Sequence, residues 1–135
     1  MAVHQRLKAY LDQKAREPFS WRDNNCKSFV VEYLDLPELP VAWFRGHDTP
    51  RACFMAYTRK AEELGCLNLS DMFDDLLVRQ TTLFPHSGYV VGRPLGGAFG
   101  LGYGLHWMGY NYFLTDKAGL QPFDPAHADV YWSVP

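Results

Sequence analysis

Cys26 is the residue of this chain best placed to do chemistry. It stands at the joint between a polar turn, Pro18-Phe-Ser-Trp-Arg-Asp-Asn-Asn25, and an apolar run through Phe29, Val30, Tyr33 and Leu34. Pro18 cannot sit inside a helix, so a preceding helix must stop before it. Asp23, Asn24 and Asn25 are residue types whose side-chain oxygens accept from the orphan N–H groups of a helix start. The spacing of the apolar residues predicts a helix over about 25–34 with one buried face. Cys26 then falls in its first turn, where the positive end of the helix dipole favours thiolate over thiol. That is the placement a nucleophilic cysteine needs. The position equally suits a small apolar residue filling a core, since free cysteine is among the most buried residue types.

A catalytic Cys26 would need a general base within hydrogen-bond reach, usually an imidazole. The chain has five histidines. His4 falls on a first helix, His47 in a loop and His127 after a proline turn. His86 precedes a first strand. His106 lies inside a second strand, with the same parity as Gly100, Gly102 and Gly104. A helix-borne Cys facing a sheet-borne His is the papain-type geometry, which makes His106 the first candidate for the base and His86 the second. A polar residue on a solvated strand face, or one hydrogen-bonded in an interface, accounts for His106 as well. Asn111 and Asp116 are the candidates for a residue that orients the imidazole. The remaining cysteines, Cys53 and Cys66, read as structural, with no CxxC pair and no histidine spacing suited to zinc. Neither a metal site nor a cofactor site is expected.

The elements that must position these residues can be read in order. Val3, Leu7, Tyr10 and Leu11 predict a helix over about 2–16, with Arg6, Lys8, Lys14 and Arg16 on a solvated basic face. Pro37 to Pro40 break the cysteine helix, and Val41, Trp43 and Phe44 form an irregular connection packed under the core. Thr49 and Pro50 suit an N-cap and first helical position, opening a helix over about 50–64 that Gly65 closes. Asn68 or Ser70 opens a shorter helix to about residue 79. Beyond residue 80 the pattern changes. Tyr89–Val91, Leu101–Met108, Tyr110–Leu114 and Val130–Val134 read as strands, with turns at Gly119 and at Asp124-Pro125. Helices first and hairpins afterwards indicate an α+β fold, N-terminal helices packed on a C-terminal antiparallel sheet, in one domain over residues 1–135. Trp21 is expected to pack against the core and fix the approach to the cysteine helix.

Composition bounds the function. With 135 residues, 47% hydrophobic and 16% aromatic, the chain is long enough for a real core without disulfides. A net charge of −2 gives no electrostatic footprint for nucleic acid. No run approaches the roughly 20 apolar residues of a membrane span. An odd number of cysteines and an N-terminus without an apolar signal core lead us to expect synthesis in a reducing cytoplasm. Gly96, Gly97, Gly100, Gly102 and Gly104 do not make a phosphate loop, because neither a Gly-Lys-Ser/Thr nor a helix follows. In a strand, Gly100, Gly102 and Gly104 would share one bare face, which something must approach closely.

The stretch Pro18-Phe-Ser-Trp-Arg-Asp-Asn-Asn-Cys-Lys-Ser-Phe29 resembles the Phe-x-Trp-Gly-x-x-Asp-Cys-x-x-Phe signature of a phage- and prophage-encoded tail-associated family related to the NlpC/P60 (papain-like) cysteine peptidases. The resemblance continues through Arg45-Gly46, through Gly104-Leu-His-Trp-Met-Gly109, through Gly119-Leu120 and through the closing strand, Ala128 to Val134. It implies an NlpC/P60-like fold with Cys26 at the start of a helix beside the sheet. Three departures stand out. Arg22 replaces the usual Gly, Asn25 the usual Asp, and Gly88-Tyr89 the usual Gly-Asp. In the wider peptidase group the catalytic His begins the second strand, which maps to Gly102 here. His106 sits four residues later, roughly 13 Å along a strand at about 3.3 Å per residue.

Two functions follow as expectations. One is a structural component of a tailed-phage tail tip or baseplate, a virion protein of the tail whose catalytic set has decayed and whose partners are other tail-tip or baseplate proteins. The alternative is an active cysteine peptidase or amidase that opens host peptidoglycan during genome entry, with Cys26 as nucleophile and His106 as acid and base. Residues 92–112, with the bare glycine face, are expected to touch a neighbouring tail component.

Overall fold

The structure, a computed structural model, describes residues 3–81, 84–94 and 101–135. Among them lie four α-helices, α1 (Val3–Ala15), α2 (Cys26–Leu34), α3 (Pro50–Glu63) and α4 (Leu69–Leu76), with a short 3-10 turn over Val41–Phe44. Six strands follow: β1 (Val78–Gln80), β2 (Val90–Pro94), β3 (Leu101–Trp107), β4 (Tyr110–Thr115), β5 (Gly119–Phe123) and β6 (Val130–Ser133). They form one sheet in the order β1-β6-β2-β3-β4-β5, antiparallel throughout. The fold is α+β, as the switch of periodicity near residue 80 predicts. No described helix is long and apolar enough to cross a membrane.

The helix ends follow their caps. Thr49 accepts from Ala52 N and Pro50 takes the first helical position of α3, while Gly65, with φ +76°, lets the chain turn away after it. Asn68 caps α4 by accepting from Asp71 N. That helix is shorter than its apolar pattern suggests. Leu77 leaves helical geometry, and Val78–Gln80 pairs with Tyr131–Ser133 as the edge strand β1. The sheet therefore starts two residues before the predicted change of character. The second surprise is β5, which contains Pro122. Proline has no N–H for a ladder, and it is tolerated here because β5 is the other edge of the sheet.

One face of the sheet packs on the helices. Leu7, Phe29, Val30, Phe73, Val90, Leu105 and Trp132 are all buried in a single cluster. Tyr103 and Phe73 meet edge-to-face at 5.4 Å, and Trp132 Nε1 donates to Asp74 Oδ1 at 2.9 Å. Lys14 corrects the expectation of a solvated basic face. It is only 2% exposed, and its ammonium reaches Glu32 at 2.7 Å, Glu17 at 2.9 Å and Asn24 Oδ1 at 3.5 Å. Burial is tolerated because those oxygens replace the lost water. Its effect is to tie α1 to the turn that leads to Cys26.

The other face of the sheet is crossed by residues 124–129, which connect one edge strand to β6 beyond β4, β3 and β2. Side chains alternate along a strand, so Arg93, His106, Asn111, Phe113 and Tyr131 stand on this face, opposite Tyr103, Leu105 and Trp132. Gly102 and Gly104 belong here too, and Gly104 is not bare. A Cβ built at Gly104 would meet the Tyr112 carbonyl oxygen and, at 2.8 Å, Cδ1 of Phe113. At Gly104 the close approach is internal packing by the neighbouring strand; Gly100 lies outside the described residues. Gly104→Ala should therefore destabilise the isolated protein by about 3 kcal/mol, the upper part of the overpacking range, because a strand backbone cannot yield. Urea unfolding measures it, and a loss below about 1 kcal/mol would mean that the neighbouring strand gives way.

Candidate functional site

Cys26 takes the first position of α2, and Asn25 is its cap. The Asn25 Oδ1 accepts from Lys27 N at 3.1 Å and Ser28 N at 2.9 Å, while Ser28 Oγ returns the bond to Asn25 N at 3.0 Å. Its Nδ2 donates to Trp21 O at 3.1 Å and Phe44 O at 2.7 Å. One buried amide thus closes the helix start and holds the turn before it against the 3-10 segment. A carboxylate could not donate to those two carbonyls. Asn24 adds a bridge to Ser20 and a side-chain bond to Pro18 O at 3.0 Å.

The half-buried Cys26 opens on a cavity of about 530 Å³. Its walls come from Phe19 and Trp21 in the turn and from Gly102, Tyr103, Phe113 and Phe123 in the sheet. Trp21 meets Phe19 edge-to-face at 4.8 Å and lines this opening half-buried, which corrects the expectation that it packs into the core. The Tyr103 phenol is pushed up to about 12 by burial, against the opposing bond to Ser70 Oγ at 2.6 Å, so it stays protonated at neutral pH. Cys53 lies nearby. Its thiol donates to Trp21 O at 3.2 Å and His47 O at 3.3 Å, and burial pushes its pKa up. Burial and then the bond to Asp75 do the same to Cys66. Both are tied down and protonated, as structural cysteines are.

No histidine is among the described residues that line the cavity. Among the described residues, no hydrogen bond links Cys26 to any imidazole. His4 meets Trp107 in a tilted contact at 5.5 Å, and His86 stacks on Tyr89 at 5.4 Å. His106 is buried on the far face of the sheet, where Nδ1 meets Asn111 Oδ1 at 2.6 Å. The amide of Asn111 is oriented by two donations from Nδ2, to Asp129 Oδ2 at 2.8 Å and to Tyr131 OH at 2.9 Å. Its oxygen is therefore the atom presented to His106, which must donate from Nδ1. The sheet brings together His106 and Asn111, one of the two candidates for its orienting residue. It does not bring together Cys26 and His106. Both candidate histidines sit where β2 begins and β3 ends, while Cys26 opens beside Gly102, where β3 begins.

The family described as a domain of unknown function (DUF6950) matches residues 1–134. The chain belongs to that family. No curated protein and no solved structure matches it. In this DUF6950 chain no group of three or more His, Cys, Asp or Glu among the described residues is placed to hold a metal ion.

Arg93 and Asp129 escape a reading of the sequence, because they are far apart in the chain and belong to no motif. Arg93 Nε and a terminal nitrogen bind the two Asp129 oxygens at 2.9 and 2.8 Å. The same guanidinium donates to Asp124 O at 2.8 Å and lies over the rings of Phe113 and Phe123 at 5.1 and 5.6 Å. It clamps both ends of the crossover and sets one wall of the Cys26 cavity. Burial opposes ionisation of Asp129, but the Arg93 guanidinium, the Ala126 N–H and the Asn111 amide outweigh it and hold the carboxyl below the usual range. The folded-state pKa thus lies under the unfolded value of about 3.9, so the stabilisation is present above that value and lost as pH falls through the folded one. Asp129→Asn should cost roughly 2–3 kcal/mol at pH 7, less than a fully buried pair because Arg93 keeps some water. Unfolding from pH 7 down to pH 2 should show the gap between variant and parent closing on the acid side. A gap that stays constant would remove the charge from the account.

Proposed function

We propose that this protein is a structural component of a tailed-phage tail tip or baseplate, carrying an NlpC/P60-like (papain-like) fold whose catalytic set has decayed. Its place is the virion tail and its partners are other tail-tip or baseplate proteins. The reading of place rests on the resemblance of Pro18 to Phe29 to the tail-associated signature. The loss of catalysis rests on one observation: the cavity that Cys26 shares with Gly102 has no imidazole in its wall. Gly102 is the position to which the peptidase histidine maps. A thiolate alone can attack an electrophile, but amide hydrolysis also needs an acid for the leaving nitrogen. The Tyr103 phenol is a poor replacement, since it is pushed well above neutrality and already engaged by Ser70.

A second reading, a cysteine peptidase or amidase acting on host peptidoglycan, is favoured by the opening of Cys26 onto a cavity at a well-capped helix start. Purified protein incubated with peptidoglycan separates the two, with Cys26→Ser compared in that assay and in phage infectivity. The structural reading expects no muropeptide release by either form and equal infectivity. Release by the parent and not by Cys26→Ser would overturn it, and His106→Ala would then decide whether that residue supplies the proton.

A further inference from the structure

We infer that the cavity beside Cys26 is the seat for one bulky apolar side chain, aromatic or long aliphatic, carried on an extended segment of a partner protein. The inference rests on the structural reading above, and it narrows the contact expected over residues 92–112 to the cavity that Arg93, Gly102 and Tyr103 help to line. Three observations carry it. The first is the lining. Phe19, Trp21, Phe113 and Phe123 face the cavity, and its volume of about 530 Å³ falls within the range of about 300–1,000 Å³ in which small-molecule-sized groups are held. Among the described residues of the wall the guanidinium is that of Arg93, and it is already taken up by Asp129.

The second observation is the shape on either side. A depression along Arg16, Glu17 and Lys117 shares Phe19 and Asp116 with the cavity. Another, along Tyr57, Asn68 and Ser70, shares Tyr103 with it. The three adjoin one another past Cys26, apolar at the centre, polar at the end beside Arg16 and Lys117, and mixed at the other end, where Phe54, Leu101 and Val130 stand with Asn68 and Ser70. An extended backbone with a large apolar side chain in the middle fits that arrangement. A compact ligand would use only its centre. The third observation is charge. Asp116 stands exposed at the rim, and among the described residues it makes no ion pair, so a basic residue beside the apolar anchor would find a partner there.

Cys26 is the built-in reporter of occupancy. The whole protein would be alkylated with iodoacetamide and the modified cysteines quantified by mass spectrometry, with and without acetyl-Ala-Arg-Trp-Ala-amide. At about five times its Kd the peptide should slow Cys26 alkylation about sixfold, as 1 + [L]/Kd requires, and leave Cys66 unchanged. The same peptide with Ala in place of Trp should give no protection. Phe123→Asp should abolish protection. Asp116→Asn, at an exposed position that folding does not need, should weaken it about threefold, the scale of one exposed ion pair. No protection up to the solubility limit, equal protection by the alanine peptide, or stronger protection by a purified muropeptide would each overturn the inference. Protection by the tryptophan peptide together with muropeptide release would remove the structural reading and leave the seat standing.

Discussion

The side chain of Asn25 is the constraint on which the rest of the site depends. Its oxygen closes the start of α2, and its nitrogen holds the carbonyls of Trp21 and Phe44, so helix, turn and 3-10 segment meet at one amide. Remove it, and two N–H groups and two carbonyls lose partners at once in a buried place, each at a desolvation cost of about 1–3 kcal/mol. The placement of Cys26 follows from this. So does that of Trp21, whose carbonyl is pinned while its ring turns outward to the cavity. Lys14, buried among Glu17, Glu32 and Asn24, supports the same turn from behind through α1.

A well-placed cysteine does not make a dyad, and the sheet shows why. Position along the strand decides what a residue on β3 can touch here. Gly102 opens the strand beside Cys26. His106 shares the face of Gly102 but lies four residues on, roughly 13 Å along a strand at about 3.3 Å per residue. There it belongs to a different network, in which Asn111, Tyr131, Asp129 and Arg93 hold the crossover of residues 124–129 against the sheet. A buried histidine whose Nδ1 is committed to an oriented amide reads naturally as a stabilising element of that closure. Cys26 and the His106–Asn111 pair thus stand at separate ends of the sheet.

Local signals were the ones the sequence carried well. The cap and apolar face of α2 and the Thr49-Pro50 start and Gly65 end of α3 rest on contacts within a few residues, and strands β2, β3, β4 and β6 are marked by local composition and spacing, so all lie near their expected places. What failed depended on distant parts of the chain. Lys14 looks solvated in a helical pattern until Glu32 and Asn24 are brought to it. Leu77 and Val78 continue a helical pattern, but pairing with β6 draws them into strand. Gly119 reads as a turn, yet it opens β5, whose edge position lets Pro122 sit in a ladder. The face of Gly104 is bare in the sequence, yet Phe113 from the adjacent strand covers it. Arg93 and Asp129, 36 positions apart, give no sign of each other in the sequence. The candidate site was legible at Cys26, its cap and the pairing of His106 with Asn111. It was not legible in the cavity, whose walls are assembled from the turn and the sheet.

The central claim is that Cys26 acts alone, without an imidazole. The pH dependence of its alkylation rate tests that claim most directly, measured by mass spectrometry on the parent, on His106→Ala and on His86→Ala. An isolated thiol gives one rise in rate with pH, and the account expects that single step, superimposable in all three proteins. A thiolate–imidazolium pair would instead keep the cysteine reactive on the acid side, with a second step that disappears when its histidine is removed. Finding that acid-side reactivity in the parent, and losing it in either variant, would contradict the account.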